Sequence, residues 1–206
     1  MVDARTLAQY QKSAEANDME AQYGMGSFYE NGNGVTADLA VAREWYAKSA
    51  AQGHLKAQFN LALLHAKGQG GPVNREEALK LMTMAAEKGL APAQNNLAVM
   101  YQDGDGVTKN LKTAFAWFER AANGGSVTAQ VNLASMLRTG RGTERDFVKS
   151  AQWYIKAAEA GNKDAAERLS RLYAAGQGVP QDMALSEKWK ALSMTASPAI
   201  ANNKTD

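Results

Sequence analysis

Apolar residues recur along this chain at the spacing of an amphipathic helix, and each such stretch is followed by a second one after a short loop. In the segment AQFNLALLHAK, which begins at Ala57, one apolar stripe runs through Leu61 and Leu64. The second stretch carries a stripe at positions i, i+3, i+4, i+7 and i+8, as in Ala42, Trp45, Tyr46, Ser49 and Ala50. A stripe of this period lies on one face of an α-helix, so each pair of stretches predicts two helices that pack on each other.

Glycines and capping residues mark the predicted helix ends. The first helix of each pair ends at a Gly-x-Gly pair, since glycine adopts the left-handed conformation that closes a helix. The second helix ends at a further glycine, as at Gly53. Before the second helix stands a side chain that accepts hydrogen bonds from free backbone N–H groups: Asp38, Asn74, Asn110, Asp146 and Asp182. Glu77 follows Asn74 by three residues, which is typical of a capping box.

These helix pairs are copies of one unit 36 residues long, and five residue columns hold through five copies without a gap. We therefore predict an all-α protein built from five helix–turn–helix repeats, at residues 21–56, 57–92, 93–128, 129–164 and 165–196. Residues 3–17 match only a second helix and are predicted to cap the array. The repeats and cap form one predicted domain, residues 1–196, followed by a flexible tail at 197–206. The large rings of one column, which include Trp117 and Trp153, are predicted to be buried core residues.

The repeat resembles the Sel-one-like repeat (SLR) family, a relative of the tetratricopeptide repeat. The resemblance is strongest at 21–53, in the segment AQYGMGSFYENGNGVTADLAVAREWYAKSAAQG. The resemblance as a whole extends over about residues 3–196. The likeness implies a right-handed α-α superhelical solenoid whose first helices line a concave groove. It also implies a bacterial adaptor that binds other proteins. The second copy departs from the pattern, with Leu81 in place of tryptophan and His65 in place of tyrosine.

Composition narrows the function classes. Of the 206 residues 45% are hydrophobic and 21% are charged, a composition that excludes general disorder. The net charge is only +2, so the chain has no strong overall field that would attract nucleic acid or a membrane surface. The absence of cysteine excludes disulfides, thiolate metal sites and cysteine nucleophiles. No run approaches the ~20 apolar residues of a membrane span. The opening MVDARTLAQY lacks the apolar stretch of a secretory signal, so the cytoplasm is expected, or the periplasm if a signal was removed.

Candidate catalytic and metal-binding groups are few. His54 and His65 do not occur at metal-ligand spacing, and the DGDG segment at Asp103 lacks the further ligands of a calcium loop. The repeated Gly-x-Gly pairs are interpreted as helix ends rather than as phosphate loops. We expect no enzymatic activity, no cofactor and no metal.

A binding surface is predicted from the geometry that the SLR resemblance implies. Its residues are the first-helix positions expected on the concave face: Tyr23, Ser27, Glu30, Phe59, Leu63, Asn95, Val99, Gln102, Val131, Ser135, Arg138 and Arg171. The middle of this set is apolar, the early end carries an acidic residue and the late end carries arginines, which would suit an extended or helical segment of a partner. A competing interpretation is that apolar members such as Phe59 and Val131 pack between neighbouring repeats while the charges are solvated.

The sequence thus predicts a protein–protein interaction scaffold, monomeric alone, that binds one protein or peptide. Adaptor, regulatory and effector-neutralising (immunity) roles are all compatible with it. One alternative is an enzyme or binder acting on cell-wall or small-molecule ligands, which a cleft with convergent carboxylates or a perturbed histidine would favour. Another is self-assembly through the exposed ends of the array.

Overall fold

A computed structural model describes residues 3–195, which form eleven α-helices and no strand. The predicted tail at 197–206 lies outside the described residues. The helices are α1 (Ala4–Glu15), α2 (Met19–Asn31), α3 (Leu39–Ala51), α4 (Leu55–Lys67), α5 (Arg75–Glu87), α6 (Ala91–Asp103), α7 (Leu111–Asn123), α8 (Val127–Thr139), α9 (Phe147–Glu159), α10 (Lys163–Ala175) and α11 (Met183–Met194).

The helices belong to two compact units. Residues 1–108, the N-terminal unit, hold α1 to α6, and residues 109–206, the C-terminal unit, hold α7 to α11. Within each unit every helix packs on the next one in the chain, and the two helices of one repeat make the most extensive contacts. This order is that of stacked helical hairpins, because one hairpin cannot bury both of its apolar faces alone. The predicted all-α repeat architecture is therefore confirmed.

The predicted helix starts are confirmed as well. Asp38 accepts hydrogen bonds from the backbone N–H groups of Ala40 and Val41, at 2.9 and 3.1 Å. The four equivalent residues, Asn74, Asn110, Asp146 and Asp182, each accept one from the N–H three positions on, at 2.9–3.0 Å. Only half of the predicted capping box forms. The backbone N–H of Asn74 donates to the carbonyl of His65 at 2.9 Å, and the Glu77 carboxylate pairs with Lys80 instead.

The two glycines of each Gly-x-Gly pair have different functions. The first is a helix C-cap in the left-handed conformation, as predicted; Gly68 has φ 66°. In three copies the second lies against the first residue of the preceding repeat's second helix. A Cβ at Gly70 would lie 2.1 Å from the carbonyl oxygen of Leu39, one at Gly142 would lie 2.1 Å from that of Leu111, and one at Gly178 would lie 2.0 Å from that of Phe147. Close approach of consecutive repeats therefore requires glycine at these three positions.

The largest core rings occupy a different column from the one predicted. Trp117 and Trp153 are half-buried, so the prediction that they are buried core residues is wrong. The fully buried rings stand one position later, at Tyr46, Phe118 and Tyr154, each 0% exposed. The helix turns by about 100° per residue, so this next position points into the repeat and tryptophan lies at its edge. A cation covers the face of each indole there, with Arg120 4.6 Å from the Trp117 ring centroid.

A buried glutamine links neighbouring repeats. In four copies the side-chain amide nitrogen of this glutamine donates a hydrogen bond to a carbonyl at the end of the preceding helix, eight residues back, at 3.1–3.5 Å. The residues are Gln22, Gln58, Gln94 and Gln130. Each of these carbonyls also accepts a hydrogen bond from the backbone N–H three residues on, so the glutamine adds a second bond that ties the helix end to the next helix.

Candidate functional site

The residues predicted to bind a partner lie on the first helices of the repeats. Those of the N-terminal unit are on α2, α4 and α6, and those of the C-terminal unit are on α8 and α10. All are half-buried except Arg171, which is exposed. Half-buried side chains on a helix face can either pack within the fold or contact a partner. The contacts of each unit therefore decide which residues have unused bonding capacity.

In the N-terminal unit the polar members of the set are engaged internally. The Tyr46 hydroxyl donates a hydrogen bond to the Glu30 carboxylate at 2.5 Å. Burial, followed by this hydrogen bond, raises the pKa of Tyr46 far above its ordinary value, so the phenol remains a donor. Tyr23 stacks on the His54 ring with a centroid distance of 4.5 Å. Glu30 and Tyr23 are thus committed to neighbours within their own unit.

Both histidines have structural contacts in this unit. His54 caps α4 by accepting from the Ala57 N–H at 3.0 Å, and its other ring nitrogen lies 3.2 Å from a Glu20 oxygen. The guanidinium of Arg43 contacts the His65 ring. Burial first, and then the charge of Arg43, lower the pKa of His65 below its ordinary value.

The C-terminal unit contains a pocket of about 260 Å³ between α8, α9 and α10. Arg138 of α8, Arg168 and Arg171 of α10, and Tyr154 of α9 line it, together with Leu172, Ala175 and Gln177. The pocket is smaller than the roughly 300–1,000 Å³ of clefts that enclose a small molecule. Its size suits one side chain or a chain end.

The Tyr154 hydroxyl has no hydrogen-bond partner in the protein. It is buried, with less than 1 Å² of accessible area, and neither donates to nor accepts from any described residue. A buried hydroxyl without a partner costs about 1–3 kcal/mol, and such groups are uncommon in folded proteins. Tyr46, the residue at the same repeat position three copies earlier, is satisfied by Glu30.

The difference between these two tyrosines arises from two substitutions in the surrounding repeat positions. Arg138 occupies the position of Glu30, so the acceptor of the first copy is replaced by a side chain that can only donate. Arg168 occupies the position of Asn60, whose side chain interacts with Tyr46. In the fourth copy the equivalent phenol therefore lines a pocket together with two arginines.

Two of the three arginines that line this pocket have no acidic partner among the described residues. Arg171 forms an ion pair with Glu167, one turn away on the same helix. Within residues 3–195, Arg138 and Arg168 make no ion pair or side-chain hydrogen bond. Guanidinium groups bind carboxylate and phosphate oxygens through planar, paired N–H donors. The arrangement therefore favours an anionic group.

Sequence reasoning selected Arg138 and Arg171 but missed Tyr154 and Arg168. Neither residue is among the predicted concave-face positions: Tyr154 lies on α9, a second helix, and Arg168 lies on α10 outside the predicted set. The signal for both lies in a comparison between copies, since Glu30 and Asn60 change to arginine only where the tyrosine column keeps its hydroxyl. Val131, another predicted member, packs against the core of the C-terminal unit, a contact of the kind that the competing interpretation describes.

Residues 3–195 offer neither a metal centre nor a membrane span. No cluster of three or more histidine, aspartate or glutamate side chains in this part of the chain is arranged to hold a metal ion. No helix there has the length and apolar character needed to cross a bilayer.

Comparison with known proteins places the repeats in a family. The sequence matches the Sel1 repeat at residues 20–54, 55–90, 91–126, 127–162 and 163–189. No curated protein matches the chain. A protective antigen of uropathogenic Escherichia coli that displays an SLR fold is 36% identical, with a TM-score of 0.89 over 91% of this chain and 40% of the antigen. The chain thus spans less than half the length of that relative.

Two other solved structures extend the comparison. A Sel1 repeat protein from Oxalobacter formigenes is 32% identical, with a TM-score of 0.83 over 93% of this chain and 84% of the other. An immunity protein from Pseudomonas aeruginosa is 20% identical, with a TM-score of 0.56 over 92% of this chain and 72% of the other. At that identity the likeness concerns the fold alone.

Proposed function

Since the chain belongs to the Sel1-repeat family, whose members bind other proteins, we propose that it is a protein-binding scaffold without catalytic activity that docks an acidic segment of one partner. The docking residues are those of the predicted concave face, with the arginine-lined part of the C-terminal unit as the principal contact. Phe59 serves as an apolar anchor in the N-terminal unit.

The observation that carries this proposal is the unequal use of charge at one repeat position. Glu30 accepts a hydrogen bond from Tyr46, whereas Arg138 has no acidic partner in the described residues. A protein surface that presents arginines without internal counter-charges attracts a partner of opposite charge and orients it during encounter.

The biological role is that of a bacterial adaptor, regulator or effector-neutralising protein. The last of these agrees with the fold of the Pseudomonas immunity protein, a likeness of fold only. A role in immunity predicts tight binding to a secreted effector and loss of that effector's toxicity on co-expression. An adaptor would bind a partner that is not toxic. Co-expression assays therefore distinguish an immunity role from an adaptor role.

The scaffold acts as a monomer in this proposal. The rival is self-assembly through the ends of the array, where Met183 and Leu192 of α11 are exposed. Light scattering over a concentration series separates these possibilities. A constant monomer mass supports the proposal, and a mass that rises with concentration supports self-assembly.

The direct test is capture of binding proteins from a bacterial lysate by three forms of the immobilised chain. These are the wild type, a double variant Arg138→Glu with Arg171→Glu, and a control Lys112→Glu with Lys190→Glu. Both variants reverse two positive charges, but Lys112 and Lys190 are exposed on the second helices α7 and α11. The proposal requires an acidic partner that the wild type and the control retain and the arginine variant loses. Equal capture by all three forms would reject this docking surface.

A further inference from the structure

We propose that the pocket around Tyr154 is a carboxylate-binding site, in which the buried hydroxyl and the guanidinium groups of Arg138 and Arg168 hold one carboxylate of the partner. This inference rests on the proposed function and adds to it a specific contact. It names the atom on which recognition depends and the chemical group that is recognised.

The Tyr154 hydroxyl lacks the acceptor that its counterpart in the first copy has. A phenol buried beside an acceptor is satisfied, as Tyr46 is by the Glu30 carboxylate. Tyr154 lies in the same repeat position, is 0% exposed, and has no acceptor among the described residues. The group missing from its surroundings is the carboxylate that the first copy supplies internally. A carboxylate from outside the chain would restore the same hydrogen bond.

Arg138 and Arg168 bring positive charge to this pocket without an internal counter-charge. Arg138 and Arg168 replace the residues that are next to Tyr46 in the first copy, and the described residues give neither an ionic partner. Two guanidinium groups without an internal counter-charge line the same pocket as the phenol O–H, so hydrogen-bond donors predominate there. Hydrogen bonds from such donors to an ionised oxygen are roughly twice as strong as those between neutral groups. The donor set therefore selects an anion over a neutral amide or hydroxyl.

The pocket around Tyr154 is small, and its hydroxyl is covered by neighbouring side chains. The Tyr154 hydroxyl has less than 1 Å² of accessible area, so an oxygen reaches it only when a neighbouring side chain moves. Arg168 and Arg171 are exposed and line the pocket, and exposed side chains change rotamer within nanoseconds. The volume of about 260 Å³ accommodates a carboxylate on a short side chain or at a chain end.

The Glu167 carboxylate competes with an incoming carboxylate for the guanidinium of Arg171. Glu167 lies on the same helix and already occupies one guanidinium, so Arg171 contributes less to a new ligand than the unpaired arginines do. Removing this competitor with Glu167→Gln is expected to strengthen carboxylate binding, a result that a purely structural ion pair would not give.

The test uses the full chain with tyrosine and arginine side chains labelled for NMR. It is titrated at low salt with a blocked acidic peptide, a blocked neutral peptide and a neutral peptide with a free C-terminus. We expect the Tyr154 ring and the Arg138 Nε–H to shift with a carboxylate-bearing peptide and not with the blocked neutral one. The acidic and free-end arms distinguish a side-chain carboxylate from a chain terminus. Inorganic phosphate serves as a fourth probe, and stronger binding of phosphate than of either carboxylate peptide would overturn the assignment.

Tyr154→Phe is the decisive variant and Tyr46→Phe its matched control. Loss of one hydrogen bond to a charged group should weaken peptide binding about tenfold in the first variant and leave it unchanged in the second. The inference is wrong if Tyr154→Phe binds as well as the wild type. It is also wrong if Tyr154→Phe destabilises the fold as much as Tyr46→Phe does, because the hydroxyl would then already be satisfied.

The two proposals fail in different ways. If charge reversal at Arg138 and Arg171 abolishes partner binding while Tyr154→Phe does not, the docking surface stands and the carboxylate pocket falls. If the peptide carboxylate shifts the Tyr154 resonances while the partner binds the charge-reversed variant normally, the pocket is a carboxylate site that this partner does not use, and the proposed docking surface falls.

Discussion

Glu30 and Arg138 occupy the same repeat position, three copies apart, and each lies beside a buried tyrosine at the same place in its own repeat. Glu30 accepts a hydrogen bond from its tyrosine, Tyr46, at 2.5 Å, whereas Arg138 leaves the Tyr154 hydroxyl without an acceptor. The same repeat position thus carries opposite charges beside equivalent tyrosines. A repeat protein can acquire a site in this way without any change of fold.

The first prediction concerns the stability of these two tyrosines. Tyr46→Phe removes a buried hydrogen bond to a carboxylate and should lower the free energy of unfolding by about 1–3 kcal/mol. Tyr154→Phe removes a hydroxyl that has no partner and should change it by no more than about 0.5 kcal/mol, or raise it slightly. Urea unfolding followed by circular dichroism measures both. Equal losses would show that Tyr154 has a partner in solution.

The second prediction concerns the core column. Phe118 is fully buried, so Phe118→Ala should lower the free energy of unfolding by about 3–5 kcal/mol. Trp117→Ala should cost about 1–3 kcal/mol, because the indole is half-buried and loses less apolar contact. The two residues are adjacent on α7, so each serves as the control for the other. A larger loss at Trp117 would restore the interpretation that tryptophan forms the core.

How far the sequence predicts this structure depends on whether a feature repeats. Helices, caps and the first glycine of each pair follow from local chemistry and were predicted at the right residues, Asp38 and Gly68 among them. The tryptophan column is misassigned because Trp45 and Tyr46, and their copies, both fall in one apolar stripe at i+3 and i+4, and the spacing alone does not say which ring points to the centre of the repeat. Tyr154 was missed because its significance depends on Arg138 and Arg168, which lie on other helices. The repeat pattern predicts features that all copies share. The candidate site depends on residues in which one copy differs from the others, such as Arg138 and Arg168, and the pattern does not predict these.

The third prediction separates the two requirements on glycine. Gly125 and Gly142 both have positive φ, 87° and 75°, so alanine at either position carries a conformational cost of about 1–2 kcal/mol. A Cβ at Gly125 would meet nothing within 4 Å, whereas one at Gly142 would lie 2.1 Å from the Leu111 carbonyl oxygen. Gly142→Ala should therefore lower the melting temperature clearly more than Gly125→Ala. Equal shifts would mean that close approach of the repeats is unimportant.

The fourth prediction concerns pH. The folded pKa of His65 lies below its unfolded value of about 6.5, owing to burial and to Arg43, against a smaller opposing effect of Glu77. Well above pH 6.5 the ring is neutral in both states and its contribution to stability is complete. As the pH falls below 6.5 the unfolded chain takes up a proton first, so this contribution declines until the folded pKa is reached.

His65→Tyr provides the comparison for that pH dependence, since tyrosine occupies this position in three other repeats, at Tyr29, Tyr101 and Tyr173. A tyrosine cannot take up the proton, so the variant should lose less stability than the wild type between pH 6.5 and 5. Urea unfolding at stepwise pH gives the difference between the two curves. Parallel curves would show that the His65 pKa is the same in both states.

The last prediction concerns association with the partner. Arg138→Glu with Arg171→Glu should slow association about tenfold at low salt and flatten its salt dependence, because the reversed charges repel the acidic segment that they formerly attracted. Salt screens exposed charges beyond about 8 Å at physiological ionic strength, so the two proteins should converge as salt is added. Lys112→Glu with Lys190→Glu changes the net charge equally and should leave the rate near the wild-type value. Lys48 and Lys156 are unsuitable controls, since each covers a tryptophan ring at 4.0 and 4.2 Å. If both double variants slow association alike, net charge rather than this surface governs the encounter.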